Sequence, residues 1–372
     1  MFPKVERRNI AKFDWLLLIA MLLLCGSGLV VIYSAGYDAQ LGTSPAMKKQ
    51  AFSMGIGLFA FLGCMLVNWS VWRRLAYPIY FVCLGLLLLV VMKGTIAGGA
   101  RRWLAIGSFR MQPSEFMKIA IILLFAKIFS AEERPEKGYG IVKLLYPSVL
   151  LVVPMVLIKI QPDLGTAMCL GLIGLSMMLM AGVRTRTLLN SAIVAMLLAV
   201  PAWSMLHDYQ RQRVMTFISP ESDPLGTGYH AIQSKIAVGS GAMMGKGFLQ
   251  GTQTQLRFLP EQTTDFIFSV LAEEWGFLGS LFILLLYALL IFRLFTIASR
   301  CEERFPAFVT VGVGAMMFWH VFINIGMVIG VMPVVGVTLK LLSYGGSSVI
   351  SAMAAIGLVA GFTIRRYMFA AN

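Results

Sequence analysis

The sequence predicts an all-α integral membrane protein: a polytopic bundle of ten transmembrane helices with one large extracytoplasmic loop between the seventh and eighth. Three observations carry that expectation. Hydrophobic residues make up 58% of the chain and charged residues 13%, against about 25% charged in a soluble domain. Mean hydropathy is +0.81. The charges that do occur leave long intervals without Asp, Glu, Lys or Arg. A soluble fold of 372 residues cannot hide that much apolar surface, which excludes a water-soluble enzyme, a disordered chain and a fibrous protein.

A membrane-crossing helix needs about 20 mostly apolar residues, and the charge-free intervals place the spans in order. Residues 15–34 give the first, a run too long for a removable signal peptide, which reads as a retained anchor. Residues 50–72 and 75–92 give the second and third. A weaker fourth runs from about 114 to 130 and opens with Glu115 and Lys118. Residues 144–158, 164–183 and 187–206 give the fifth to seventh. The eighth begins near Phe266, carries Glu273 and Glu274, and continues through 275–292. The ninth lies near 307–331 and the tenth within 341–364. An even number puts both termini on one side.

Positive charge marks that side as cytoplasmic. Lys4, Arg7, Arg8 and Lys12 precede the first span, and Arg73/Arg74, Arg184/Arg186, Arg293/Arg300/Arg304 and Arg365/Arg366 fall on the same side in compact loops. The opposite side holds the loop of about 207–264 and the loop 93–113, with Lys93, Arg101, Arg102 and Arg110. Basic residues there run against the insertion rule, and binding an anion outside the membrane is a reason for them. The net charge is +14. It is dispersed rather than gathered into a run, so nucleic acid is not the expected partner; anionic lipid or an anionic substrate is. Cys25, Cys64, Cys83, Cys169 and Cys301 show no CxxC spacing, which argues against a disulfide framework or a zinc site. No repeat or soluble domain stands out, and residues 1–372 read as one domain.

Ionisable residues near membrane depth are the functional candidates. Pro113 and Ser114 suit a helix start, and Glu115 and Lys118, three apart, can pair on one face. That is either a structural ion pair or a charged wall of an outer site, with Arg102 reaching a phosphate. Asp163 opens the sixth span as a cap, or serves a metal or proton. The loop carries Tyr209-Gln210-Arg211-Gln212-Arg213, Gln233-Ser234-Lys235 and the run Gly239–Gly247 with Lys246. A P-loop is excluded there: Ser240 holds the first glycine position, Gly247 follows the lysine, and the loop faces away from ATP. The run remains a candidate phosphate nest or a flexible connector. Thr264 or Asp265 caps the eighth span. Asp265 stands where water, loop and bilayer meet, a setting in which desolvation and a helix N-terminus act on a carboxylate in opposite senses, as a general base requires. At least one of Glu273 and Glu274 must face a polar cavity. His320 and Asn324, four apart, read as interhelical hydrogen bonders. Ser343-Tyr344-Gly345-Gly346 permits close helix approach or offers N–H groups to an anion. Basic groups with a carboxylate suit chemistry on a lipid-linked phosphate and equally suit carrying such a lipid.

These segments resemble the SEDS family, the shape, elongation, division and sporulation proteins of bacteria. The resemblance rests on Ala100-Arg101-Arg102-Trp103, Gln112-Pro113-Ser114-Glu115, Gln161-Pro162-Asp163-Leu164-Gly165-Thr166, Leu259-Pro260-Glu261 with Thr264-Asp265-Phe266-Ile267-Phe268, Glu273-Glu274 and Leu342-Ser343-Tyr344-Gly345-Gly346. Residues 209–214, Asp223-Pro224-Leu225-Gly226, 233–237 and Gly251-Thr252-Gln253 are more similar to its rod-shape members than to its division members. The resemblance implies a peptidoglycan glycosyltransferase of the bacterial cytoplasmic membrane that polymerises lipid II on the outer face during elongation. It implies Asp265 as the essential loop aspartate, acting as general base or as ligand to a divalent cation, Mg2+ or Mn2+, with no organic cofactor. Arg102, Glu115, Lys118, Asp163, Arg213, Gln233, Lys235, Lys246, Glu261, Thr264, Ser343 and Tyr344 are the expected substrate-binding set. The implied partners are a class B penicillin-binding protein, other elongation-machinery membrane proteins, and glycan on undecaprenyl diphosphate. A lipid II flippase and a non-catalytic scaffold are the competing readings. One residue departs from the family pattern: Lys340 stands where proline usually follows Thr-Leu. It brings the local turn into question and is expected to add an outward positive charge.

Overall fold

The computed structural model describes residues 13–369 apart from 39, 41, 98–99, 107–108, 132–134, 137, 205–207, 220–226, 257 and 260. The basic cluster Lys4–Lys12, the Asp223–Gly226 turn and Pro260 lie outside the described residues, as do the side chains of Arg213, Arg365 and Arg366.

Helices dominate. In chain order they are α1 (Trp15–Ala35), α2 (Pro45–Leu66), α3 (Trp69–Lys93), α4 (Pro113–Ala131), α5 (Ile141–Ile160), α6 (Leu164–Ala181), α7 (Thr185–Ser204), α8 (Asp208–Ile218), α9 (Thr227–Ser240), α10 (Thr252–Gln255), α11 (Ile267–Ser299), α12 (Arg304–Val328) and α13 (Gly346–Phe369). Eight of the described helices, α1, α2, α3, α5, α6, α11, α12 and α13, are long and apolar enough to cross a membrane. The chain is a multi-pass membrane protein. Helices α4 and α7, 19 and 20 residues long, stand where the sequence expects its fourth and seventh spans.

Local chemistry sets the helix starts. Asp14 caps α1, accepting the Leu17 N–H at 3.1 Å, while its second oxygen accepts from Arg293 Nε at 2.7 Å. The start of α1 and the end of α11 therefore share one end of the bundle. Ser44, Asn68 and Asp163 cap α2, α3 and α6. Helix α4 runs through the centre, with Met117 and every residue from Ala120 to Ala126 buried. Phe59, Phe81, Val142 and Phe282 point outward, as lipid contact requires. Helix α13 lies along α2 at close range. A Cβ on Gly357 or Gly361 would come within 2.4 or 2.6 Å of the Phe61 or Met65 carbonyl oxygen. Small residues four apart are what close packing in lipid uses.

The structure departs from the sequence expectation in three places. The 93–113 loop folds into an antiparallel sheet of β1 (Thr95–Ala97), β2 (Ala100–Ile106) and β3 (Phe109–Met111), with Ile96 opposite Arg101 and Leu104 opposite Met111. The long loop contains α8, α9 and α10. The last helix begins at Gly346, and 341–345 form a turn with Leu341 at φ 72°.

Helix α11 breaks at Gly276 (φ 65°, ψ −160°). The glycine-rich run splints the break. Lys246 N and Gly247 N donate to the carbonyls of Glu273 and Glu274 at 3.0 Å each, and Phe277 N and Leu278 N donate to the carbonyls of Ala242 and Met243 at 2.9 and 3.2 Å. Backbone groups freed by the kink thus find partners, as a low-dielectric setting demands.

Candidate active site

Asp265 sits in a tight turn over residues 261–266, just ahead of α11. Glu261 adopts φ 55°, and its carbonyl accepts the N–H groups of Thr264, Asp265 and Phe266 at 3.1, 3.1 and 3.3 Å. Thr264 Oγ1 donates to Glu261 Oε2 at 3.1 Å. Three neighbours dock this turn. Gln262 Nε2 donates to Ala35 O, at the end of α1, at 2.7 Å. Tyr344 N donates to Thr263 O at 2.9 Å. Asn324 Nδ2, on α12, donates to Asp265 O at 2.8 Å and to Val337 O at 2.7 Å. Asp265 is half-buried, and Gly336 (φ 73°) passes beside its carboxylate: a Cβ there would lie 3.2 Å from Oδ2. The Ser343–Gly345 turn is tied down in its own right. Gln50 Nε2 donates to Ser343 O at 3.1 Å, Gln50 Oε1 accepts from Gly345 N at 3.0 Å, and Ser343 Oγ accepts from Leu339 N at 2.8 Å.

Beneath the same strap, residues 336–344, lies a closed charge cluster. Lys118 Nζ donates to Glu115 Oε1 at 2.7 Å, Lys340 Nζ donates to Glu115 Oε2, and Ser351 Oγ donates to that oxygen at 3.2 Å. His320 Nε2 lies 3.0 Å from Lys118 Nζ and its Nδ1 lies 2.9 Å from Thr338 O. A carbonyl only accepts, so the hydrogen-bond pattern assigns a proton to Nδ1 and leaves Nε2 to accept from Lys118. Glu115, Lys118, His320 and Lys340 are all buried. Two expectations change here. Glu115 and Lys118 face the interior rather than an outer wall. Lys340 turns inward, where a proline could not reach, and adds no outward charge. Burial brings its ammonium down to about 8, with Glu115 pulling the other way.

A family model described as "Cell cycle protein", for FtsW, RodA and SpoVE, matches residues 14–367. The chain belongs to the SEDS family. It is 43% identical over 357 residues to the peptidoglycan glycosyltransferase MrdB of Escherichia coli (strain K12), covering 95% of this chain and 94% of that one. A chain of a peptidoglycan synthase complex, described as coordinating polymerization and crosslinking, superposes with TM-score 0.81 at 32% identity, covering 95% of this chain and 98% of that one. The crystal structure of the rod shape determining protein RodA of Thermus thermophilus superposes with TM-score 0.71 at 29% identity and the same coverage.

In this SEDS chain the remaining expected residues fall into separate groups. Arg102 donates to Pro162 O and lies 3.9 Å from Asp163, which caps α6 through Thr166 N at 3.2 Å and accepts from Gln112 Nε2 at 3.1 Å. Lys246 Nζ pairs with Glu273 Oε1 at 2.8 Å. Glu273 also accepts from Gln253 N, Thr254 N and Thr254 Oγ1 at 2.9, 3.1 and 2.9 Å, so it anchors α10. The glycine run is not a phosphate nest. Gly241 and Gly245 touch the Ala272 and Glu274 carbonyls, which would lie 1.9 and 2.1 Å from an added Cβ, and the N–H groups of residues 246 and 247 serve the kink. Helix α9 packs on α11 and α12 through Ser234 Oγ, 2.9 Å from Ser269 Oγ and 2.8 Å from Val328 O. It carries half-buried Gln233 and exposed Lys235, whose stem crosses Gly330. Arg213 lies on α8.

The structure therefore gathers Asp265 with Glu261, Thr264, Ser343 and Tyr344, and keeps Glu115–Lys118, Arg102–Asp163 and Lys246–Glu273 as distinct pairs. Sequence reasoning places Asn324 in an interhelical bond but not against Asp265, and it passes over Gly336 and Gln262. An amide inside an apolar span is the one signal that points to Asn324. Among the described residues no three His, Cys, Asp or Glu side chains converge on a metal site. A Mg2+ or Mn2+ ion here would take one or two carboxylates from the protein and the rest of its ligands from water and diphosphate, which is an ordinary mode for Mg2+. Half-buried Asp265 fits such a role.

Proposed function

We propose that this chain is a lipid II polymerase, a peptidoglycan glycosyltransferase of the bacterial cytoplasmic membrane that serves cell elongation, with Asp265 as its general base. Asp265 takes the proton from the 4-hydroxyl of the acceptor lipid II. That oxygen forms a bond to the anomeric carbon of the donor glycan while the bond from that carbon to undecaprenyl diphosphate breaks. A single displacement inverts the centre, so an α-linked donor yields a β-1,4 link. The diphosphate leaves with the electron pair and needs positive charge beside it. Lys235 and Arg213, on α9 and α8, are the first candidates, with the exposed edge of Arg102 next. A cation held by Asp265 would supply charge neutralisation at the diphosphate. Glu261, Thr264, Ser343 and Tyr344 border the substrate beside the turn, and Gln233 meets it from α9. Glu115, Lys118 and Asp163 act beneath it as supports.

The observation that carries this reading is the setting of Asp265. Its backbone is held on both sides while the side chain is half-buried, at a turn where α1, α11, α12 and the strap meet. Helices α4 and α7 cross the membrane with the other eight, which makes ten spans and puts both termini in the cytoplasm. A class B penicillin-binding protein supplies crosslinking, since no transpeptidase serine motif occurs in this chain.

The test is lipid II polymerisation by purified protein, with and without that partner and divalent cation. Wild type makes glycan and Asp265→Ala, correctly inserted, makes none. Equal glycan from both removes Asp265 as the base. Transbilayer movement of lipid II without glycan from either points to a flippase.

A further inference from the structure

The pair His320 and Asn324 stands out in the sequence yet has no part in the chemistry proposed above. The two residues lie one turn apart on α12 and both reach the strap, but they do different things. His320 Nδ1 holds Thr338 O and its Nε2 meets Lys118 of the buried cluster. Asn324 holds Val337 O with one N–H and Asp265 O with the other. An asparagine amide has two N–H donors, and both are used. Turning the amide over would set its oxygen against two carbonyls, so its orientation is fixed by its partners.

The effect on Asp265 is specific. The peptide N–H of Asp265 is bound to Glu261 O at 3.1 Å and its own carbonyl is bound to Asn324 at 2.8 Å. Both peptide groups flanking its Cα are therefore anchored, and the side-chain torsions place the carboxylate relative to a fixed backbone. Gly336 limits those torsions from the far side. It takes φ 73°, where an L side chain is strained, and an added Cβ would stand 3.2 Å from Oδ2. The strap residue next to Gly336 is Val337, the other carbonyl that Asn324 holds. One amide thus fixes the distance between the base and the backbone beside it.

We propose that Asn324 is a positioning residue for the Asp265 carboxylate, setting it against the Gly336 strap at the distance that proton abstraction needs. The proposal rests on Asp265 being the base. A displacement of about 1 Å in such a group costs up to about 100-fold in rate while substrate binding elsewhere is untouched. Asn324→Ala and Asn324→Asp both remove the donors, the second with almost no change in shape. Each is expected to lower kcat by about 10–100-fold per folded molecule and to leave KM for lipid II within about twofold. Gly336→Ala approaches the same carboxylate from the opposite side without touching α12, and is expected to lower kcat in the same way.

The experiment measures kcat and KM for lipid II on wild type, Asp265→Ala, Asn324→Ala, Asn324→Asp and Gly336→Ala, each normalised to the monodisperse fraction from size exclusion. A wild-type kcat in folded Asn324→Ala, or a defect confined to KM, overturns the assignment. Should neither Asn324 variant fold, Gly336→Ala decides: an unchanged kcat overturns the positioning of Asp265 against the strap. Full activity in Asp265→Ala removes the base itself. An inactive Asp265→Ala beside a normal Asn324→Ala removes only the positioning role.

Discussion

Glu115 in the first turn of α4 and Asp265 just ahead of α11 hold the same chemical group, and the strap 336–344 meets both of them. Their surroundings are opposite. Both oxygens of Glu115 are taken, by Lys118 on one side and by Lys340 and Ser351 on the other, and the group is buried. At Asp265 the protein holds the backbone, through Glu261 O and Asn324, and leaves the side chain half-buried. If Asp265 is the base, the contrast is between a structural carboxylate and a working one. A carboxylate whose oxygens are neutralised by ammonium groups in the interior has no reason to move a proton. On the proposed reading, one whose backbone is clamped and whose side chain stays half-buried can.

The sharpest way to break that comparison is Asp265→Asn. It is expected to cut polymerisation by about 10²–10⁴-fold, the range of a general base, with the melting temperature in detergent unmoved. A large drop in melting temperature would make Asp265 a structural carboxylate like Glu115. The reverse pattern is expected for Glu115→Ala. It leaves two buried lysines without their counter-charge and costs about 3–5 kcal/mol of stability, seen as a loss of monodisperse protein and a lower melting temperature. Glu273→Ala ranks next. It strands the donors of Gln253, Thr254 and Lys246, at about 1–3 kcal/mol, and is expected to expose the 241–256 segment to protease first. Lys340→Met is the mildest. Lys118 still neutralises Glu115, and replacing one buried ammonium by an apolar group of similar size is expected to shift stability by less than about 1 kcal/mol. A collapse on that substitution would mean that Lys340, not Lys118, is the principal partner.

The bundle is legible in the sequence because lipid is a demanding solvent: intervals such as 15–34 and 164–183 can do little except cross it. Asp163 as a cap and Glu115–Lys118 as a pair are legible too, since spacing along one helix determines both. What sequence conceals is contact between distant segments. The Gly239–Gly247 run has the composition of a phosphate nest, yet its glycines are required because a helix backbone presses on Gly241 and Gly245. Strands β1 to β3 are too short and too mixed in character to show a period. Lys340 departs from the family pattern and looks like an outward charge, because nothing local reveals that Glu115 waits 225 residues away. Asn324 is visible as a polar residue in an apolar span, but only the fold brings Asp265 to it.

The break at Gly276 bears on where the reaction happens. Beyond it, Phe277–Ser299 extends about 34 Å at 1.5 Å per residue, enough alone to cross a hydrocarbon layer of about 30 Å. Ahead of it, Ile267–Glu274 is enclosed by protein, and the outward-facing apolar surface of α11 starts at Trp275. The first part of the helix, about 12 Å from Ile267 to Glu274, is therefore held within protein and separates Asp265 from the segment that lipid can surround. With Asp265 as the proposed base, a polyprenyl tail could lie along Phe277–Ser299 while its diphosphate and first sugar are met at the protein-enclosed end of the helix. On that reading the helix would act as the ruler that keeps tail and sugar apart.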